Sequence, residues 1–262
     1  MTEIRRIVSL VPSLTETLFD LGQGDKIVGV TRYCAEPEDE VGELPDVGGP
    51  KNPNLDKIAE LEPDIVFVNT EENRSAVVES LRARFEVHES QPRTIHDVSE
   101  VLRSIGHRLD CWDEAEAYIL QIQAELARIE AESIGRERIR VFYPIWRKPW
   151  MSINDDTYIH HVLETIGADN VCAEWSDRYP VVEDDSLREL GVELVLLPSE
   201  PYEFGLDHQT EVLRSGLFPG KPVLMVDGRD YCWHGTRTGA ALGRLHDFVV
   251  RHRPRVLEDR PR

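Results

Sequence analysis

The architecture of this chain is set by residues 7–31, which read IVSLVPSLTETLFDLGQGDKIVGVT. Two runs rich in β-branched residues, 7–11 and 27–31, read as strands, and the segment between them predicts a helix over 14–21. Ser13 and Glu16 have the spacing of a capping box, which predicts a helix start directly after the first strand. Strand, helix and strand in this order predict a parallel sheet with helices on its faces.

The same alternation continues along the chain and is interrupted once. Apolar residues recur at three- and four-residue spacing from 111 to 134, which predicts one long helix. Beyond it the alternation resumes, with strands expected at 139–145, 194–197 and 223–226 and helices at 158–166 and 238–252. We therefore predict an α/β protein of two Rossmann-like lobes, 1–110 and 136–262, joined by one bridging helix, 111–135.

Composition excludes several kinds of partner. The 262 residues include 49 acidic and 30 basic side chains, a net charge of -19, which repels phosphate backbones. No apolar run approaches the ~20 residues of a membrane helix, so neither nucleic acid binding nor membrane insertion is expected. Residues 1–6 are polar and lead straight into a strand, so a cytoplasmic location is expected. A misassigned or trimmed start leaves a periplasmic or cell-surface location as the alternative.

The cysteines give little sign of metal or redox chemistry. Cys34, Cys111, Cys172 and Cys232 are dispersed, with no C-x-x-C pair, and reduced thiols are expected, although spacing leaves two long-range disulfides open. Cys34 or Cys232 could pair with His234 as a nucleophile, but no nucleophile signature accompanies them. We therefore expect that the chain is not an enzyme and that it has no catalytic residue, metal site or cofactor.

Candidate binding residues follow the strands. Ligands of parallel α/β sheets bind outside the carboxyl ends of strands, and here those loops are rich in aromatic and charged side chains. The candidates are Arg32, Tyr33, Glu71, Glu72, Arg74, Trp146, Arg147, Trp150, Tyr202, Asp230, Trp233, His234 and Arg237. Together they predict a cleft for a large, flat, partly polar ligand. The alternative is that the aromatic rings only pack, which is the expected role of Trp112 and Trp175.

Five motifs carry a family resemblance: 6–18, 28–31, 47–49, 54–58 and 61–66. They resemble the class III solute-binding proteins of ABC importers, in particular the vitamin B12-binding branch beside the ferric-siderophore and haem binders. The resemblance implies a ligand between two lobes that barely hinge. It also implies that Tyr33 and Tyr179 lie at or near positions of aromatics lining a corrinoid pocket. Asp56 and Asp185 match carboxylates that dock onto a permease, with Asp in place of the usual Glu.

The expected function is therefore binding. We expect a monomeric, non-enzymatic solute-binding protein that holds a corrinoid, or a similar small-molecule metal chelate, in an aromatic cleft, with an ABC permease as partner. Haem or a ferric siderophore is the alternative ligand, with Tyr33 or a histidine as iron ligand. A cytoplasmic relative acting as an enzyme or sensor on a metal chelate, and a purely structural role, stay open.

Overall fold

A computed structural model describes residues 3–253 of the chain. By density of contacts the chain divides into two compact units. The first is Met1–Ile122 with Trp233–Gly239, and the second is Gln123–Cys232 with Ala240–Arg262. The domain boundaries expected from the sequence stay a prediction. No local pattern indicated that Trp233–Gly239, here called the strap, packs within the first unit.

The first unit is built on a four-stranded parallel sheet. Its strands are β1 (Ile7–Ser9), β2 (Ile27–Val30), β5 (Ile65–Asn69) and β6 (Glu86–Ser90), in the order β2-β1-β5-β6, and β3 (Gly48–Gly49) pairs with β4 (Asn52–Pro53) in a separate turn. The helices are α1 (Pro12–Asp20), α2 (Glu38–Val41), α3 (Leu55–Glu60), α4 (Ser75–Arg82) and α5 (Ile95–Leu109). Apolar side chains cover both faces of the sheet, which explains why β5 is buried along its whole length.

The predicted capping box at the start of α1 is wrong. The helix begins at Pro12, its N-cap is Val11, and no side chain caps it. Proline suits this first helical position because its fixed φ fits the helix and its missing N–H would have had no partner there. The Ser13 hydroxyl is buried without a hydrogen-bond partner among the described residues.

The second unit repeats the strand order of the first. Its sheet strands are β7 (Ile139–Phe142), β9 (Ala168–Asn170), β11 (Leu194–Pro198) and β12 (Val223–Val226), in the order β12-β11-β7-β9, all parallel. A separate two-stranded sheet joins β8 (Trp150–Met151) to β10 (Val181–Val182). The helices are α7 (Tyr158–Thr165), α8 (Asp184–Glu189), α9 (Leu206–Ser215) and α10 (Arg229–Cys232). In both sheets the first strand of the unit lies between its second and third.

Two helices contribute residues to both units. The predicted long helix is α6 (Trp112–Ser133), and the predicted last helix is α11 (Arg237–His252). The two parallel sheets and α6 confirm the predicted α/β class. Among residues 3–253, no helix has both the length and the apolar character that crossing a membrane requires.

A polar clamp occurs in the same place in each unit, just before the third strand. In the first unit, the Arg6 guanidinium donates to the Leu61 carbonyl at 2.9 and 2.7 Å, and the Asp64 carboxylate accepts the Arg6 backbone N–H at 2.9 Å. The second unit repeats these contacts at 2.8 Å each, with Arg140, Leu190 and Glu193. The repeat therefore extends from strand order to individual side chains.

The strap is fastened to helix α1. Gly235 has φ +123°, a conformation that favours glycine, and a Cβ there would overlap the Thr17 hydroxyl. The Thr236 backbone N–H donates to Thr17 Oγ1 at 3.3 Å, and the Thr236 hydroxyl donates to Asp20 at 2.6 Å. The first unit thus takes one of its helix contacts from a segment more than two hundred residues further along the chain.

Candidate functional site

The loop after β2 presents an exposed aromatic ring. Tyr33 is 63% exposed, and its Cε2 lies 3.5 Å from the position of a Cβ built on Gly49, so the ring lies over the β3–β4 turn. The Arg32 backbone N–H donates to the Gly48 carbonyl at 3.1 Å, and its exposed guanidinium is 3.9 Å from Asp46. The β3–β4 turn therefore supports both predicted residues of this loop.

The loop after β5 is held by two asparagines that the sequence reading did not single out. Asn73 accepts the Asn69 backbone N–H at 2.8 Å and donates to the Pro50 carbonyl at 2.8 Å, and Asn69 in turn accepts the Glu71 backbone N–H at 2.8 Å. Both asparagine side chains are buried, although asparagine is usually a surface residue. An asparagine at the end of a buried strand was the available signal for this role.

The charged residues of this loop lie near the Tyr33 loop. The exposed Arg74 donates to the neutral amide of Asn52 in β4 at 2.8 Å. The charge of Glu72 helps to raise the pKa of Cys34, after the larger effect of burial. Arg74 thus contacts the same β3–β4 turn that supports Tyr33, and the charge of Glu72 acts on Cys34, the residue next to Tyr33.

The predicted strap residues are packed inside the first unit. Arg237 forms a two-point ion pair with Glu16, one contact being Nε to Oε2 at 2.9 Å, and these side chains are only 17% and 15% exposed. The Arg237 guanidinium lies 5.3 Å from the centre of the buried Trp233 ring. The side chains of Trp233, His234 and Arg237 are therefore mostly buried, and their role as ligand contacts stays a prediction.

The buried His234 is a poor partner for thiol chemistry. Burial lowers its pKa to about 4, and its Nε2 lies 3.4 Å from the Ser90 hydroxyl at the end of β6. The Cys34 thiol is also buried, which raises its pKa, and it contacts the hydroxyls of Thr15 and Thr31. A protonated thiol next to hydroxyl groups does not favour the nucleophile hypothesis for Cys34.

In the second unit, the loop after β7 is a hairpin tip that exposes Trp146. The Ile145 N–H donates to the Met151 carbonyl at 2.8 Å, and the Met151 N–H donates to the Trp146 carbonyl at 3.2 Å. Trp146 is 48% exposed, and its ring meets the edge of Tyr202 at a centroid distance of 5.0 Å. Trp146 is therefore the available aromatic of this loop.

Trp150 and Arg147 support the hairpin from within. Trp150 is only 2% exposed, because β8 places its ring in the apolar core of the second unit. The Arg147 guanidinium lies 4.1 Å from the centre of that ring and pairs with Glu211 at 2.7 Å. The Trp150 ring is therefore buried, and its role as a ligand contact stays a prediction.

The exposed Tyr179 lies on the wall of a cavity of about 320 Å³. The cavity is lined by Trp175, Ser176, Asp177, Tyr179, Pro180 and Val181. Trp175, which was expected only to pack, lines this cavity and also packs against the core of the second unit. Asp230 is held by Arg244 through contacts of 3.0 and 2.7 Å, so its carboxylate is already bound.

The two predicted docking carboxylates occupy equivalent positions in the repeat. Asp56 is the second residue of α3, and Asp185 is the second residue of α8; each helix leads into the third strand of its sheet. Both are exposed, and Asp185 pairs with Arg188 at 2.6 Å. Within the described part of the chain, no group of three or more His, Cys, Asp or Glu side chains is arranged to hold a metal.

Comparison with known proteins identifies the family. A family model described as periplasmic binding protein matches residues 7–208, and the chain belongs to this family. The vitamin B12-binding protein of Vibrio parahaemolyticus is 26% identical over 180 residues, which are 68% of this chain and 65% of that protein. The uncharacterized ABC transporter substrate-binding lipoprotein YvrC of Bacillus subtilis is 29% identical over 183 residues, which are 66% of this chain and 57% of that protein.

Solved structures share the fold. The periplasmic heme-binding protein RhuT from Roseiflexus sp. RS-1, in apo form, has a TM-score of 0.82 at 18% identity, covering 95% of this chain and 99% of that chain. The periplasmic vitamin B12-binding protein BtuF of Vibrio cholerae has a TM-score of 0.79 at 20% identity, covering 95% and 98%. These similarities confirm the predicted class III fold of two lobes.

The family changes one expectation and supports another. The predicted cytoplasmic location is wrong, because the family is one of periplasmic binding proteins and the Bacillus subtilis relative is a lipoprotein. An acidic chain with a polar start does not by itself show the compartment. Membership in a family of binding proteins confirms the expectation that the chain is not an enzyme and needs no cofactor.

Proposed function

We propose that this chain is a solute-binding protein of an ABC importer and that its ligand is a corrinoid. The observation that carries the proposal is the pair of exposed aromatic rings at strand ends, Tyr33 in the first unit and Trp146 in the second. Each ring packs against a supporting group: Tyr33 lies on the β3–β4 turn, and Trp146 contacts the Tyr202 ring. Exposed rings held in place offer flat contact area at low entropic cost. The vitamin B12-binding relatives support the choice of ligand.

The polar groups near Tyr33 fit the amide arms of a corrinoid. An amide both donates and accepts hydrogen bonds, so it needs donors and acceptors in one place. Arg32 and Arg74 supply donors, and Glu71 and Glu72 supply acceptors, all on loops after β2 and β5. A surface with one sign of charge would favour a ligand with the opposite charge, whereas this mixed surface favours neutral polar arms.

Titration with cyanocobalamin, followed by tryptophan fluorescence and calorimetry, tests the proposal. We expect saturable binding that is weakened in Tyr33→Ala and in Trp146→Ala. Trp112→Phe is the matched control, because Trp112 stacks on His107 at 4.6 Å, away from the strand ends. Absence of saturation below about millimolar, an affinity worth only ~4 kcal/mol, would exclude the corrinoid.

Haem is the second candidate, because the exposed Tyr33 phenol is a group that ferric iron accepts as a ligand. The haem-binding structure with the same fold agrees with it. Haemin titration separates the two candidates: a Soret shift that disappears in Tyr33→Phe supports haem. A spectrum unchanged on mixing, together with cyanocobalamin binding, supports the corrinoid.

For the transport partner, we propose that Asp56 and Asp185 dock onto basic residues of a permease. Their exposure and their equivalent places in the two units support paired contacts with a partner that presents two similar surfaces. The assay is binding to the permease in detergent or proteoliposomes. Asp56→Ala and Asp185→Ala should each weaken it, and the corresponding Glu variants should restore it. Asp207→Ala is the control, since Asp207 is exposed in the first turn of α9, outside the equivalent positions. Equal binding by all variants would refute the docking role.

A further inference from the structure

His208 makes two hydrogen bonds that connect helix α9 to the loop after β11. Its Nδ1 lies 3.0 Å from the backbone nitrogen of Gly205, the N-cap of α9. Its Nε2 lies 3.2 Å from the hydroxyl of Tyr202. The histidine thus caps the helix with one ring nitrogen and contacts a predicted binding residue with the other.

These contacts select one protonation state of the ring. The Gly205 N–H can only donate, so Nδ1 must accept and carry no proton. In a neutral imidazole the proton is then on Nε2, which donates to the Tyr202 hydroxyl. A doubly protonated ring would place an Nδ1–H against the Gly205 N–H, and the capping bond would be lost.

Through Tyr202 the histidine reaches the exposed aromatic of the second unit. The Tyr202 and Phe204 rings each approach His208 edge-on, with centroids 5.5 Å away. Tyr202 then packs against Trp146 at 5.0 Å. The order of contacts is therefore His208, Tyr202 and Trp146, from the helix to the surface.

We propose that His208 is a positioning residue for the second-unit binding face: in its neutral form the bond to Gly205 aims Nε2–H at Tyr202 and so holds Tyr202 against Trp146, whereas protonation breaks the bond to Gly205 and turns the ring away from Tyr202. The proposal rests on the proposed function in one respect, that Trp146 contacts the ligand. It adds acid sensitivity, so that the binding face is ordered at neutral pH and loosened in acid.

The charged groups around His208 come from three elements. On the β11 loop they are the Tyr202 phenol and the neighbouring Glu203, and on α9 they are Asp207 and Glu211. From the hairpin, Arg147 and Lys148 approach Glu211 at 2.7 and 3.8 Å. Because the Gly205 N–H can only donate, the hydrogen-bond geometry makes the arrangement specific to one form of the ring.

Two substitutions separate the contact with Tyr202 from protonation of the ring. In His208→Asn, the side-chain oxygen stands near the place of Nδ1, so the helix cap is kept and the bond to Tyr202 is lost. In His208→Gln, the longer amide reaches toward Tyr202 and does not become protonated in acid. His96→Asn is the control, because His96 is an exposed histidine in α5 of the first unit.

Three measurements test the proposal from about pH 8 to about pH 5. They are ¹⁵N NMR of the His208 ring, acrylamide quenching assigned to Trp146 by comparison with Trp146→Phe, and cyanocobalamin affinity. We expect an unprotonated Nδ1 at neutral pH, and in acid more quenching and a roughly fivefold loss of affinity, about the effect of one hydrogen bond. His208→Asn should show the weaker state at every pH, His208→Gln should keep more of the neutral-pH affinity than His208→Asn, and His96→Asn should behave like the parent.

A protonated Nδ1 at neutral pH would overturn the proposal, as would a His208→Asn variant with parental quenching and undiminished acid response. If the parent protein binds no cyanocobalamin, the proposed ligand is wrong, and the NMR and quenching measurements still decide the role of His208. The two failures are therefore distinguishable.

Discussion

Replacing Arg237 by alanine should destabilise the first unit, because it leaves Glu16 charged and largely buried. The pair makes two contacts, and both side chains are less than one-fifth exposed. Removing one partner of a fully buried pair costs ~3–5 kcal/mol, and the residual exposure lowers this to about 2–3 kcal/mol. Loss of the guanidinium over the Trp233 ring adds about 0.5 kcal/mol. The expected cost is therefore about 3 kcal/mol.

A double-mutant cycle measures how much of this cost belongs to the pair. Glu16→Ala alone should cost about 2 kcal/mol, and the double variant only about 1 kcal/mol, less than Arg237→Ala, since no uncompensated charge is left buried. Urea unfolding followed by tryptophan fluorescence gives the free energies. Hydrogen exchange of the Thr236 amide, which donates to Thr17, reports on the strap itself.

Arg188→Ala is the matched control, because it breaks an exposed arginine–carboxylate pair, with Asp185, and should change stability little. The reasoning is refuted if Arg237→Ala is as mild as Arg188→Ala and keeps Thr236 protected from exchange. If Arg237→Ala were mild in stability but lost ligand binding, Arg237 would be a ligand contact, as predicted from the sequence, and not an anchor of the strap.

Three further outcomes are expected. Trp150→Ala should lower stability by ~3–5 kcal/mol in thermal or urea unfolding, because it empties a core position, whereas Trp146→Ala should weaken ligand binding with little loss of stability. His234 is held neutral with a pKa of about 4 against ~6.5 unfolded, so its effect on stability is constant above pH ~6.5, falls by about 3 kcal/mol between pH ~6.5 and pH ~4, and levels off below; His234→Gln should remove this slope in urea titrations across pH. Glu62→Gly should stabilise by up to about 1 kcal/mol, visible as a higher Tm, because Glu62 has φ +43° where the second unit has Gly191 at φ +63°; an unchanged or lower Tm would contradict this.

The fold could be predicted where burial left a strong pattern. Strand β5, with sequence IVFVN, is buried throughout, and helix α6 shows regular apolar spacing. Strand β6 was not predicted, because it lies at the sheet edge and reads EVHES, with polar residues that an edge strand tolerates. Local sequence patterns reveal a strand only where its side chains are buried, and the side chains of an edge strand are less buried.

The site could be predicted only as a set of loops. Trp146 and Trp150 look alike in sequence, four residues apart in one loop, yet the first is exposed and the second is core. The difference arises because β8 pairs with β10, some thirty residues later, and no local pattern shows that pairing. The same holds for Arg237, whose partner Glu16 is 221 positions away.

The strap has a practical consequence for dividing the chain. The family match ends at residue 208, and any fragment cut near that point would lack Trp233–Gly239. Such a fragment would leave the carboxylates of Glu16 and Asp20 without the arginine and the threonine that they bind in the intact chain. Expression of the first unit alone therefore calls for grafting the strap back, or for a permuted gene that brings residues 233–239 next to the amino-terminal sequence. In this protein, the end of the sequence similarity therefore does not coincide with the end of a structural unit.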